Sequence, residues 1–231
     1  ISGAGSTDVL VVMARTGDTG AKGVSAFVVD AQSDGIKYGK NEHKMGWKAQ
    51  PTRTISFNNV KVPASNLLGA EGQGFSIAMK GLNGGRINIG IFAVGTAQAA
   101  LETATSYVKD RQQFGKPIAG FQSVQFKLAD MLTQTITARQ MIYLAASKVD
   151  NNDPQAATYC AMAKRLATDL SFEVANEALQ LHGGYGYLNE YPLERHVRDL
   201  RVHQILEGTN EIMRVIVSRQ MLQDDALSSL R

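Results

Sequence analysis

Few side chains in this 231-residue sequence could carry proton-transfer, metal or nucleophilic chemistry, and their surroundings separate them. Glu207 lies in Ile205-Leu206-Glu207-Gly208-Thr209-Asn210-Glu211, an apolar approach followed by a helix whose expected N-cap is Thr209. An acid at the positive end of a helix is ordinarily explained by the dipole, and Glu211 fits that role better than Glu207. A carboxylate one residue before Gly208, on an apolar loop rather than inside the first turn, can be aimed into a cavity, where a positioned acid or base works. The four histidines, at 43, 182, 196 and 203, show no ligand spacing on one helix face, so they read as structural or surface residues rather than a zinc site. Cys160 is the sole cysteine, set in the apolar stretch Tyr159 to Ala163. It reads as a buried packing thiol in a reducing compartment.

Three glycine-rich places invite a phosphate-loop reading. Gly3-Ala4-Gly5-Ser6 precedes a strand, and Gly183-Gly184-Tyr185-Gly186 follows a helix, so neither has the strand-loop-helix order of a dinucleotide fold. Asn83-Gly84-Gly85-Arg86 falls inside a helical pattern, where each glycine costs roughly 1 kcal/mol relative to alanine. Something other than helix stability must favour the pair, such as close approach by a ligand or another helix. Arg111-Gln112-Gln113-Phe114-Gly115-Lys116-Pro117 taken alone is a helix stop, with cations near the C-terminus and then Gly and Pro.

The elements that must hold these residues fall into two periods. From Asp8 to about Val62 the runs Val9–Met13, Val24–Val29 and Arg53–Phe57 predict strands, separated by turns at Gly17-Asp18, Asp34-Gly35 and Asn58-Asn59. No helix is expected there. After Pro63 and the segment Gly69 to Gly74 the period becomes helical, which places a domain border near residue 70, with residues 1–69 in a β-domain and 70–231 in a helical one. One helix begins near Phe75, with Met79 and Leu82 on its apolar side, and continues to Val108. A second spans about Phe121 to Val149, with a stripe at Val124, Leu128, Met131, Thr135, Ala138, Ile142 and Ala145. A third spans about Pro154 to Leu181, with Asp153 as its N-cap and an apolar face at Tyr159, Met162, Leu166, Leu170, Val174 and Ala178, and Gly183-Gly184 ends it. Shorter helices at about 191–200 and 209–222 follow. The expected fold class is α+β: a small, incomplete β-sandwich or barrel-like domain followed by an antiparallel four-helix-type bundle.

Composition limits the partners. With 44% hydrophobic residues the chain can bury a core, and no run reaches the ~18 uninterrupted apolar residues of a membrane span. Net charge is +3 from 24 basic and 21 acidic residues, dispersed along the chain, which argues against nucleic-acid binding. The opening Ile1-Ser2-Gly3-Ala4-Gly5 has neither a basic leader nor an initiator Met, so the sequence is expected to begin inside a domain.

In order and spacing, these motifs resemble the acyl-CoA dehydrogenase family over the whole chain. The resemblance is carried by Ile1-Ser2 with the strand after it, Met45-Gly46-Trp47, Phe57 to Pro63, Gly72-Gln73-Gly74-Phe75, Arg111 to Pro117, Gln180 to Gly186, Arg198-Asp199 and Glu207-Gly208-Thr209. Asn83 to Asn88 and His182 to Tyr187 are most similar to the isobutyryl-CoA, short branched-chain branch. In some members the base stands on the first bundle helix, at the position of Gly84; glycine cannot serve, which leaves Glu207.

The resemblance implies an FAD-dependent oxidoreductase that converts a short, branched acyl-CoA to the trans-2-enoyl-CoA, with Glu207 removing the α-proton. A carboxylate desolvated by the acyl pocket has a raised pKa and is the stronger base, while the nearby helix N-terminus pulls the other way. By the same resemblance Ser2 contacts the flavin ring, and Thr209 and Glu211 lie along the FAD. Arg111, Gln113, Phe114, Gln180, Gly183 and Gly184 contact the pyrophosphate or adenine of an FAD bound mainly by a neighbouring subunit. Asn83, Arg86, Leu206 and Gly208 line the substrate site, Arg86 toward the CoA end and Leu206 against the acyl group. A homo-oligomer, a dimer of dimers, and an electron-transferring flavoprotein as electron acceptor follow from the family. So does a location in the cytoplasm of a bacterium or the mitochondrial matrix of a eukaryote. The family's N-terminal helical domain and first middle-domain strands have no counterpart in the sequence, so a fragment is expected. Two other readings remain open at this point: an acyl-CoA oxidase passing electrons to oxygen, and a non-catalytic helical assembly module without FAD.

Overall fold

The computed structural model describes residues 1–223. Two compact units divide between Leu82 and Asn83. In the first, strands β1 (Val9–Arg15) and β2 (Val24–Asp30) pair antiparallel in the register Val9 to Asp30, and β2 also pairs with the short β5 (Leu67–Leu68). The β1 residues Val9, Val11 and Met13 point outward and the alternate residues inward, the period-two alternation of a half-covered strand. A second small sheet pairs β3 (Ile36–Tyr38) with β4 (Ile55–Phe57), and Ser2 forms an isolated antiparallel bridge with Thr52. The expected third strand is therefore shorter than its apolar run, since Arg53 and Thr54 lie outside the ladder. The tripeptide β3 has too few apolar residues to announce itself. Short 3₁₀ turns at Ala21–Gly23 and Ala64–Asn66 are the only helical features before Gly74.

Helix α1 (Gly74–Asp110) contains the division between the units. From Asn83 onward the unit is helical: the rest of α1, then α2 (Gln122–Asp150), α3 (Ala156–His182), α4 (Leu193–Arg201) and α5 (Asn210–Met221). Between α1 and α2 the chain makes a tight hairpin of β6 (Gln112–Gln113) and β7 (Lys116–Pro117), with Phe114 and Gly115 both at positive φ. The helix stop expected there is present, and the residues after it are a built turn.

Two apolar clusters show how the bundle runs. One joins Ala93, Ala97, Ala100 and Ala104 of α1 to Met131 of α2, Val174 and Ala178 of α3, and Leu193 and Leu200 of α4. The other joins Val94 to Ala138, Ile142 and Ala145 and to Tyr159, Cys160, Ala163 and Ala167. Late residues of α2 meet early residues of α3, and early residues of α2 meet late ones, so the helices are antiparallel. Alanine dominates the contact face, and a Cβ on Gly90 would lie 2.2 Å from Ile142 Cδ1. Small residues let these helices approach closely.

Two expectations for α3 need correction. Its N-cap is Gln155, not Asp153; Asp153 accepts from the Gln155 N–H at 2.8 Å and from Lys148 at 2.8 Å, closing the turn that contains Pro154. Of its expected apolar face, Tyr159, Val174 and Ala178 are buried while Met162, Leu166 and Leu170 are only half-buried, and Ala163, Ala167 and Ala175 complete the buried side. Large side chains were taken to mark the core, but at close interhelical distance alanine fills it. On α1 likewise, Phe75 and Met79 are exposed and the buried apolar side chains begin later, at Ala93 and Val94.

Candidate active site

Glu207 stands between a 3₁₀ turn (Val202–Gln204) and α5. Its φ is 55°, a left-handed conformation that non-glycine residues adopt at a cost, and Gly208 follows at φ 93°. The last helix is capped by Thr209, whose hydroxyl accepts from the Ile212 N–H at 3.4 Å. The two left-handed residues turn the Glu207 side chain away from that helix and toward α1.

There the carboxylate meets Gly85. A Cβ on Gly85 would lie 2.1 Å from Glu207 Oε2, 2.8 Å from Cδ and 2.9 Å from Oε1, so only glycine leaves this space to the carboxylate. Around Gly84, by contrast, nothing stands within 4 Å of where a side chain would begin. The helix cost of Gly85 thus has one clear cause, the approach of the loop carboxylate, which does not extend to Gly84. Oε2 is buried and accepts no hydrogen bond among the described residues. Desolvation raises the Glu207 pKa as the largest influence; Arg86 and then Lys164 pull it down, and the net direction is up. A carboxylate that is raised and without a donor to one oxygen is a base ready to accept a proton.

Two buried cations attend it. Arg86 is 7% exposed, donates to Asn83 Oδ1 at 3.2 Å, and has a buried Nε with no partner among the described residues. Lys164, from α3, is fully buried and donates to the Gly208 carbonyl at 2.9 Å and to Asn210 Oδ1 at 2.8 Å. Burial lowers the Lys164 pKa to about 8. Asn210 in turn donates to Thr168 Oγ1 at 2.9 Å and Asp169 Oδ1 at 2.7 Å, tying the loop to α3.

A second group of residues gathers at the other end of α1. Arg111, Gln113, Gln180, Gly183 and Gly184 line one cleft of about 480 Å³, with Tyr107, His182 and Tyr185 in its wall. Phe114, at the tip of the hairpin, is 91% exposed and lines an adjoining depression with Gln113 and Gln180. Arg111 lies over the Tyr185 ring at 5.6 Å from its centre. Tyr107 stacks on His182 with centroids 4.0 Å apart, which supports the turn that follows. Gly183 is at φ 58°, and nothing stands within 4 Å of a Cβ placed on either Gly183 or Gly184. A guanidinium, two amides, exposed aromatic rings and open glycine backbone suit a phosphate-bearing ligand with an aromatic base, so this donor set fits a dinucleotide such as FAD.

Against known proteins, residues 72–222 match the acyl-CoA dehydrogenase C-terminal domain and residues 1–60 the acyl-CoA dehydrogenase middle domain. The chain belongs to the acyl-CoA dehydrogenase family. Similar relatives include mitochondrial isobutyryl-CoA dehydrogenases of Dictyostelium discoideum, 53% identical, and of Bos taurus, 50% identical. Each of these covers 97% of this chain and 54% of the relative. Among solved structures, butyryl-CoA dehydrogenase from Megasphaera elsdenii superposes with a TM-score of 0.93 at 45% identity, covering 96% of this chain and 58% of that one. The chain spans about half the length of the curated relatives it matches.

In this acyl-CoA dehydrogenase chain, the sequence-derived residues fall into four places. Glu207, Gly208, Arg86 and Asn83 come together with Gly85, and the half-buried Leu206 precedes Glu207 in the same turn. Arg111, Gln113, Phe114, Gln180, Gly183 and Gly184 form the second group. Thr209 spends its hydroxyl on the cap, and the exposed Glu211 has its carboxyl held below the ordinary range by the helix-start N–H and the Thr209 side chain. Ser2 lies in the first unit, bridged to Thr52. Lys164, Thr168 and Asn210 were missed. A lysine among Cys160, Ala161, Ala163 and Ala167 was the available signal, because a charged residue inside a run of small apolar ones is buried only with partners.

Proposed function

We propose that this chain carries the proton-abstracting and cofactor-holding elements of an acyl-CoA dehydrogenase acting on a short, branched acyl-CoA of the isobutyryl-CoA kind. The observation that carries the reading is the Glu207 carboxylate, raised in pKa, with a buried Oε2 that accepts no hydrogen bond, held against Gly85. The hydrogen α to a thioester is weakly acidic, and its removal at neutral pH calls for a positioned base with matched pKa. Glu207 takes that proton at its carboxylate, and its backbone N–H serves the thioester oxygen as charge develops there. Arg86 binds toward the CoA end, and Leu206 shapes the acyl pocket. When bound, FAD supplies the acceptor for the β-hydrogen, which leaves as hydride.

Ser2 would lie at the flavin ring of that FAD, with Thr209 and Glu211 along its length, while Arg111, Gln113, Phe114, Gln180, Gly183 and Gly184 would hold the pyrophosphate and adenine of an FAD bound mainly by a neighbouring subunit. From Arg86 to the end of α1 at Asp110 the helix rises about 36 Å at 1.5 Å per residue. Glu207 and the Arg111 cleft therefore serve two different FAD molecules, which supports a homo-oligomer, a dimer of dimers, with each cofactor shared between subunits. Electrons pass on to an electron-transferring flavoprotein. The branched substrate is supported by the 53% and 50% identity to isobutyryl-CoA dehydrogenases.

The test is anaerobic incubation of the intact flavoprotein with isobutyryl-CoA, followed by mass analysis of the thioester. A product two mass units lighter, formed without peroxide on later exposure to air, supports the reading. An unchanged thioester with butyryl-CoA as well as isobutyryl-CoA would remove it, and rapid peroxide formation would move the assignment to an oxidase.

A further inference from the structure

Lys164 is the bulkiest fully buried side chain among the described residues, and no step above uses it. Its ammonium reaches from α3 to the loop and donates to the carbonyl of Gly208, the residue after Glu207, and to the side chain of Asn210, the first residue of α5. Those partners are themselves fixed. Asn210 donates to Thr168 and Asp169, Gln204 donates to Asp169 at 3.0 Å, and Arg214 donates to the Asn210 carbonyl at 3.1 Å. The turn they clamp contains two successive left-handed residues, one of them a glutamate, a conformation that persists only where its surroundings over-determine it.

We propose that Lys164 is a positioning residue for Glu207, holding the Glu207-Gly208 turn by its carbonyl so that the carboxylate stays against Gly85. This rests on the reading of Glu207 as the base. A neutral donor would satisfy the same two acceptors at far lower desolvation cost, so the charge itself has a use. That use is to favour the carboxylate form of Glu207, which the Lys164 charge pulls toward a lower pKa. The charged and titratable groups facing Lys164 are Arg86 from α1, Asp169 from its own helix, His203 before the loop, Glu207 in it and Glu211 in α5. Arg86 opposes the ammonium and the three carboxylates favour it.

The experiment compares Lys164→Met, which removes donor and charge, with Lys164→Gln, which keeps a donor and removes the charge, in the intact flavin-loaded protein. The first should lower kcat on the order of tenfold to a hundredfold with KM within about twofold, and the second should recover most of that loss. Independently of turnover, the carbon-13 carboxyl resonance of Glu207, assigned by its loss in Glu207→Gln, should titrate at higher pH in both variants. Should Lys164→Met not fold, Lys164→Gln carries the same titration test. Lower thermal stability with kcat per bound flavin and the Glu207 titration both unchanged would overturn the proposal, leaving Lys164 structural only. If Glu207→Gln kept full activity, the base reading would fall while a shifted titration would still establish the Lys164 contact.

Discussion

Replacing Gly85 by alanine should separate activity from stability. A Cβ there would sit 2.1 Å from Glu207 Oε2, and ordinary contact begins at 3.4 Å, so the carboxylate must retreat by more than 1 Å. It is the far end of a flexible side chain, so it can retreat without moving the backbone. The helix gains up to about 1 kcal/mol from losing a glycine, equivalent to a rise of roughly 2–4 °C in Tm for a unit of this size. A misplacement of about 1 Å at a reacting group costs on the order of a hundredfold in rate. Steady-state kinetics with isobutyryl-CoA and a dye acceptor, beside a thermal melt, should show kcat reduced about a hundredfold and Tm unchanged or higher. Gly95→Ala is the control: nothing lies within 4 Å of its Cβ, so it should gain stability alone. A Gly85→Ala protein with kcat within about threefold of wild type would refute the idea that this glycine exists to admit the carboxylate.

Glu207→Gln should be more stable than wild type at neutral pH. The native carboxyl has a raised pKa, so between 4.5 and that value the native state binds more protons than the unfolded state and stability falls as pH rises. The variant lacks the cost of the buried charge, and chemical denaturation should show its advantage at pH 7 and not at pH 4. Lys164 has the opposite sign: with its pKa lowered from 10.5 to about 8, the unfolded state binds more protons in that window. Wild-type stability should therefore climb relative to Lys164→Met by roughly 3 kcal/mol between pH 8 and 10.5, and a flat difference would show that the ammonium is not desolvated. Arg111→Ala removes a charged donor worth about 1.5–3 kcal/mol to a phosphate, so flavin retention after dialysis should fall and the FAD Kd rise at least tenfold. Unchanged flavin content would take the Arg111 cleft out of the cofactor site.

The long helices were legible because their ends carry strong signals: Gly and Pro after Asp110, Gly183 after His182, and Thr209 before Asn210. The α2 stripe from Met131 to Ala145 was legible because its period is regular. The α3 face was legible at Tyr159, Val174 and Ala178 but not between them, because closely approaching helices bury alanine and leave Leu166 and Leu170 half-covered. Asp153 was misread as a cap because the same Asx hydrogen bond serves a turn and a helix start. In the candidate site, Glu207 and the Gly84-Gly85 pair stood out as local exceptions to helix chemistry. Their meeting could not be read, since it depends on the left-handed backbone at residues 207 and 208. Lys164 was signalled only by its small apolar neighbours, and its partners could not be read, because they lie on the loop before α5 and at its first residue, 44 and 46 residues on.

On this mechanism a single carboxylate, Glu207, starts the reaction. The most direct test is the anaerobic single-turnover decay of the flavin absorbance band after mixing with isobutyryl-CoA, for wild type and Glu207→Gln at equal flavin loading. Bleaching should be rapid in wild type and slower by about 10²–10⁴ in the variant, with thioester binding retained. Bleaching at the same rate in both proteins would contradict the mechanism.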